Sequence, residues 1–579
     1  MRHNTLHRLV CGLSVVLATG LTTLACDKKD APEATATATK DVAPAGAIDR
    51  LVAPAGTLAF GGAESPDALL KSLSGLAGPL GAGLTPELAT HGLEQALGLG
   101  AASVDATKPA RFLVTDAKAT EPLVIAFAMK NRDAFASALP ADKKTNDAGN
   151  AYSYGRANKT VYVNLLDEFA VVTHAPELFG KHKDFVKQLL GSKADGAFSA
   201  VVSVKNASEM FGKELDALLA ELEKGGGQMK GTGFAPGAPA QSLEMMRAAA
   251  TFVREIDTVA FTASVPGGDL LVTIDTRAKA ESALAKHVAA TKAGQLGLLP
   301  KLPKETTFAA IFSVDPTSDN ALMKQLSRWG MKLGVGAAGS AEMERATDAF
   351  YRATTGEMAF FAYRPDGKGD LAMVSLSGVK DADAVRSAWA EMMKAYSSET
   401  VKKGFAQAGF DITFTENAYK IGDVAVNVTE SKLTEEAKKR PELAQVSAML
   451  DMFTTSHSAV TSEHVVVAMG KAGKSTLEAW LGGKVPGGLD TAPGLVKARA
   501  RAADNAVGIM YGSPVELIQS ILGQAAAAPM PGAPGASAQG GVALSVGQKE
   551  GALRIVLDLP AAQLQGMVAA VGALAGGRR

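Results

Sequence analysis

The residues best spaced for chemistry in this chain are Ala468-Met469-Gly470-Lys471-Ala472-Gly473-Lys474-Ser475. The stretch fits the phosphate-loop pattern with Ala468 in the place of the first glycine. The apolar run His464 to Met469 predicts a strand before it, and a helix is expected from Ser475. In a working loop, backbone N–H groups would cradle phosphates, Lys474 would reach the terminal phosphate and Ser475 would hold Mg²⁺. Two features argue for an ordinary glycine-rich turn. The corresponding stretch in the first half, Val172 to Glu177, lacks both glycine and lysine, and no acid-ended strand follows in the right place, since Ile555-Val556-Leu557-Asp558 lies in a later hairpin. No cofactor is expected from Gly473, Lys474 and Ser475.

Other constellations give less. Ala543-Leu544-Ser545-Val546-Gly547 lacks the first glycine of a hydrolase elbow and runs into a hairpin, where an elbow needs a helix. Ser377-Gly378-Val379-Lys380 has Ser-x-x-Lys spacing with no partner motif. Beyond His3 and His7, the histidines are His91, His174, His182, His287, His457 and His464, and none has the spacing of a ligand pair. Asp366, Asp370, Asp381 and Asp383 are accounted for by turn chemistry and helix capping. No catalytic or metal site is expected, and the chain is read as a non-enzyme.

One residue does predict a covalent event. Arg2, His3, His7 and Arg8 precede an apolar run from Leu9 to Leu21, and Thr22-Thr23-Leu24-Ala25-Cys26 closes the segment. This resembles a bacterial lipobox, with Thr23 where a branched aliphatic is usual. It implies cleavage after Ala25 and diacylglycerol on Cys26, hence a signal peptide over 1–25 and a protein held in the cell envelope by its N-terminal lipid. The apolar run is shorter than the ~20 residues a spanning helix needs. The other cysteine, Cys11, lies inside the signal, so the mature chain has no thiol for catalysis and no disulfide within the chain. Asp27-Lys28-Lys29-Asp30 and the Ala/Pro/Thr run that follows cannot bury a core, and residues 26–50 are read as a flexible tether.

Lys+Arg and Asp+Glu are both 59, giving a formal net charge of +0, and aromatics make up 6%. That balance offers neither a basic stripe nor stacking platforms, so nucleic acid is excluded as a partner. With 47% hydrophobic residues and no disulfide, stability must come from packed apolar cores.

Those cores are organised by repetition. A strand, a helix, two hairpin-linked strands and another helix recur four times, giving an α+β fold of tandemly duplicated antiparallel sheets covered by helices, in β-α-β-β-α units. The leading strands are Thr57 to Phe60, Phe198 to Val204, Thr307 to Val314 and Ala506 to Tyr511. Pro266-Gly267-Gly268-Asp269 and Gln548-Lys549-Glu550-Gly551 mark hairpins, and Asn131 and Asp381 mark helix starts. Copies one and three carry extra tails, each read as three strands and a helix. The first half is placed at 51–302, with a long unit 51–197 and a short unit 198–302. The second is placed at 303–579, with a long unit 303–490 and a short unit 500–579. Gly225 to Pro239 and Ala525 to Gly535 read as loops.

The opening Leu51-Val52-Ala53-Pro54-Ala55-Gly56-Thr57-Leu58-Ala59, the strand-to-helix step Phe127 to Phe135 and the repetition resemble a group of uncharacterised bacterial envelope proteins known as a domain of unknown function. The resemblance implies a fold and carries no catalytic residues. The expected function is a lipid-anchored, non-catalytic structural or binding role toward another envelope component, on the periplasmic face. The alternative is a carrier or sensor of a hydrophobic ligand, on apolar helices bearing Met245-Met246 and Met392-Met393. A hydrolytic enzyme comes third.

Overall fold

The computed structural model describes residues 47–567 apart from 78–102, 116–121, 147, 157, 226–239, 292–293, 295, 314–339, 366–370, 440–453, 504, 515 and 517–539. Cys11, Cys26, the signal peptide and the tether up to residue 46 lie outside the described residues, as do His91, Asp366, Asp370 and most of both Gly/Pro-rich loops. The fold is α+β and its sheets are antiparallel. The chain divides into two compact units, Met1–Asp216 with Ile256–Arg277, and Ala217–Glu255 with Ala278–Arg579.

The first unit contains β1 (Ala59–Ala63), β2 (Ala110–Val114), β3 (Leu123–Ala128), β4 (Lys144–Thr145), β5 (Ala151–Arg156), β6 (Lys159–Leu166), β7 (Phe169–Thr173), β8 (Phe198–Ser203), β9 (Ile256–Ser264) and β10 (Leu270–Ala278). They pair in the order β10-β9-β8-β1-β2-β3-β7-β6-β5-β4. Side chains alternate across the sheet with the period-2 pleat. Along β3, Val124 and Ala126 join one core with Phe60, Leu113, Val171 and Val201, closed by Leu178, Phe185, Val186 and Leu189 of the helix Pro176–Gly191. Ile125 and Phe127 face a second core with Leu69 and Leu70 of the helix Pro66–Ala77 and Phe135 of the helix Arg132–Ala138. That last helix starts where expected, because Asn131 accepts the Asp133 and Ala134 N–H groups at 2.8 and 3.0 Å.

The second unit contains β11 (Thr306–Ser313), β12 (Thr354–Tyr363), β13 (Ala372–Val379), β14 (Phe410–Ile421), β15 (Val424–Leu433), β16 (Thr455–Val460), β17 (His464–Met469), β18 (Gly508–Gly512), β19 (Val542–Lys549) and β20 (Ala552–Leu559). Their order is β20-β19-β18-β11-β12-β13-β17-β16-β15-β14. On β17, Val466 and Ala468 join Phe361, Val374, Leu376 and Leu477, while Val465 faces Phe350, Val385 and Ala388. Asp381 caps the helix Ala382–Tyr396 through the Asp383 and Ala384 N–H groups, which places Met392 half-buried and Met393 buried.

Two strands depart from the expectation, the short β4, which pairs with β5, and β16. Thr455–Val460 reads Thr-Ser-His-Ser-Ala-Val, too polar to signal a strand, yet it pairs on both sides and buries only Ser458 and Ala459. Each tail therefore has four strands, β4 to β7 and β14 to β17, in place of the three expected. The helices Glu399–Ala408 and Pro493–Arg501 were likewise not anticipated.

The first unit closes around a buried cation. Arg111, on β2, is 2% exposed. Its Nε donates to the Leu189 carbonyl at 3.1 Å, Nη1 to those of Ala63 (2.7 Å) and Ala110 (3.2 Å), and Nη2 to Glu64 Oε1 (2.6 Å) and the Ser192 carbonyl (2.7 Å). These bonds use all five guanidinium donors. Glu64 Oε1 also accepts the Ala194 N–H at 2.6 Å. Burial pushes the Arg111 pKa down, and the Glu64 carboxylate pushes it back up. Gly62, opposite Arg111, has no room for a Cβ against the Ala110 carbonyl and Arg111 Cδ. Removing the guanidinium leaves its buried carbonyl partners without a donor, and a buried acceptor left unpaired costs about 1–3 kcal/mol. Arg111→Met is therefore expected to lower unfolding free energy in urea by about that amount, and Arg111→Lys by less, because an ammonium offers three donors in place of five.

Candidate functional site

The phosphate-loop look-alike sits where β17 turns into the helix Gly473–Leu481, which begins two residues before the expected Ser475. Gly470 takes a positive φ of 85°, open to glycine at no steric cost. Its N–H donates to the Thr455 carbonyl, and its own carbonyl accepts the Gly473 N–H, both at 2.9 Å. Gly473 is required by close approach: a Cβ there would lie 2.9 Å from the Ala468 carbonyl oxygen and 3.1 Å from His457 Cδ2.

The chemistry-bearing atoms of the motif are turned to these neighbours. Ser475 Oγ donates to the Ala472 carbonyl at 3.1 Å, and Lys474 Nζ stands 5.0 Å from the centroid of the Tyr419 ring. A cation at that distance is attracted by the ring quadrupole. Tyr419 OH is 2.9 Å from His457 Nδ1, and the two rings meet edge to face with centroids 5.8 Å apart. The strands explain the meeting. Tyr419 on β14 pairs with Val426 of β15, and His457 on β16 pairs with Val428, so both rings lie over the middle strand.

Burial, then the Lys474 charge, push the His457 pKa below the usual histidine value, against an opposing pull from Glu478. Burial and then Glu478 push the Tyr419 pKa up. At neutral pH the two rings are uncharged and share one hydrogen bond, whose direction follows the imidazole tautomer. Such a pair could hold a proton for acid–base work if a substrate reached it. The grouping of Tyr419, His457, Lys474 and Glu478 was missed in the sequence, because 59 positions separate Tyr419 from Glu478 and the strand carrying His457 has no apolar alternation.

The remaining candidates are dispersed. Ser545 lies buried within β19 and Ser377 within β13. His174 Nδ1 is 3.0 Å from the Thr160 carbonyl, and His464 Nδ1 is 3.9 Å from Glu463 Oε2. Among the described residues, no three His, Cys, Asp or Glu side chains gather as a metal site, and no helix is long and apolar enough to cross a membrane. Comparison with protein-family models, curated proteins and solved structures finds no match.

The charges around His457 can be read directly by NMR titration. Lys474→Met is expected to raise the His457 pKa, and Glu478→Gln to lower it. Unchanged titration in both variants would mean that neither group faces the imidazole in solution.

Proposed function

We propose that this chain is a lipid-anchored envelope protein with a non-catalytic role, in which a tandemly duplicated α+β scaffold presents surface to another envelope component. The observation that carries the reading is that the two units share one strand order and fill the same places in it with core residues. Ile48, Leu113, Val124, Ala126, Val171, Val201 and Ala260 form a core in the first unit. By strand register and by the turn preceding β1 and β11, their counterparts are Leu299, Phe361, Val374, Leu376, Val466, Tyr511 and Ala543, and all seven belong to one core of the second.

The capping groups correspond as well. Asn131 matches Asp381, and Ser203, whose Oγ accepts the Asn206 N–H, matches Ser513, whose Oγ accepts the Glu516 N–H. Buried polar side chains serve this scaffold. Asn206 Nδ2 donates to the Pro54 and Thr57 carbonyls, the half-buried Glu357 accepts the Leu298 N–H, and Arg111 donates to the Leu189 and Ser192 carbonyls. A duplicated body whose conserved-in-place groups are core and caps fits a display or binding role better than a site that converges on a reacting atom.

The envelope part of the reading rests on Cys26 and is tested there. Cys26→Ser is expected to abolish palmitate incorporation and to move the protein out of the membrane fraction in a flotation gradient. Retained labelling would overturn lipidation at this residue. Turnover of a substrate by the purified mature protein, lost on a single-residue change, would overturn the non-catalytic role.

A further inference from the structure

The helix Pro176–Gly191 turns Leu178, Phe185, Val186 and Leu189 onto the sheet, and His182 lies on the same helical face. His182 is 2% exposed, and neither its Nδ1 nor its Nε2 has a hydrogen-bond partner. Such a group is costly in a core, since buried polar atoms are nearly always paired. The second unit shows the apolar alternative. Thr173 and Ala468 hold the same register opposite Val124 and Val374, and nine residues further on His182 stands where the other unit has the fully buried Leu477.

We propose that His182 is an acid-operated latch, whose protonation releases the helix Pro176–Gly191 from its sheet while the strands beneath remain paired. The closed arrangement has no group to receive the second imidazole proton. Of the strands beneath the helix, β3 and β7 carry no ionisable side chain, and β2 carries only Arg111, a cation with every donor committed. The turn Ile48–Arg50 brings Asp49 and Arg50. On the helix itself, Lys181 and Lys183 flank His182, with Glu177, Asp184 and Lys187 further along. Charge on the ring would be buried, with the Lys181 charge opposing it.

Burial first, and the Lys181 charge second, hold the His182 pKa below the ordinary histidine value in the closed state. The released helix takes up the proton at the ordinary pKa of about 6.5. The closed state is therefore fully favoured above about pH 6.5, and loses about tenfold per pH unit below it until the closed-state pKa is reached. Release would free the Leu189 carbonyl from Arg111, which keeps its bonds to Ala63, Ala110 and Glu64 and so keeps β1 on β2. It would bare the apolar face of Leu113, Val124 and Val171.

Peptide-resolved hydrogen exchange on the full mature protein at pH 7.5 and 5.0, corrected for intrinsic rates, tests this. In the wild type, amides from 178 to 189 are expected to lose protection at pH 5.0, by up to about 30-fold, while β1 and β2 hold theirs. His182→Leu, which copies the second unit, and His182→Met as an independent replacement should keep that helix equally protected at both pH values. A wild-type helix still protected at pH 5.0, or variants that lose as much protection as the wild type, would overturn the proposal. His287, His457 and His464 also have pKa values lowered by burial, but they lie in the second unit and report on other peptides.

Discussion

A single guanidinium sets the geometry of the first unit. Arg111 ties the end of β1, its own strand, the last turn of the helix Pro176–Gly191 and the segment leading to β8 to one planar group. Its fork cannot rotate without breaking several bonds together, so it fixes strand register and helix position at once. The cost is desolvation of a cation, offset by Glu64 and by carbonyls that would otherwise be buried without donors. Gly62 is part of the same constraint, since any side chain there would displace the arginine.

The second unit reaches the same strand order without this device. Where Gly62 pairs with Arg111, Ile311 pairs with Ala359, and where Gly62 meets Ser199, Ile311 meets Ile509. Three apolar residues stand at the register where the first unit has Gly62, Arg111 and Ser199. Replacement of buried ion pairs by packed apolar residues is frequently neutral or stabilising. The two units are therefore two chemical solutions to one packing problem, and His182 against Leu477 is a second instance of polar against apolar at matching positions.

Much of this was legible in the sequence. The strand at Phe198, the hairpin at Pro266 to Asp269 and the caps at Asn131 and Asp381 follow from local rules of alternation, turn chemistry and side-chain capping, which need no knowledge of distant residues. What was not legible depends on contacts far apart in the chain. Arg111 reads as the polar start of a strand, and its burial appears only when residues 47 to 81 positions away close over it. Thr455–Val460 becomes a strand because two neighbours already in place offer their edges, not because of its own residues. The same dependence hid the Tyr419–His457 pair.

Buried polar groups such as Arg111 and Asn206 hold strands and helix ends, and the Lys474 and Glu478 charges oppose one another at His457. The central claim is that the buried five-donor contact of Arg111 orders the first unit, and ¹⁵N NMR of the arginine side chain measures it directly. At pH 7 the Arg111 Nε–H and four separate Nη–H resonances should be resolved, with hindered rotation and slow exchange with water. A single averaged Nη signal exchanging as fast as that of a surface arginine would contradict the account.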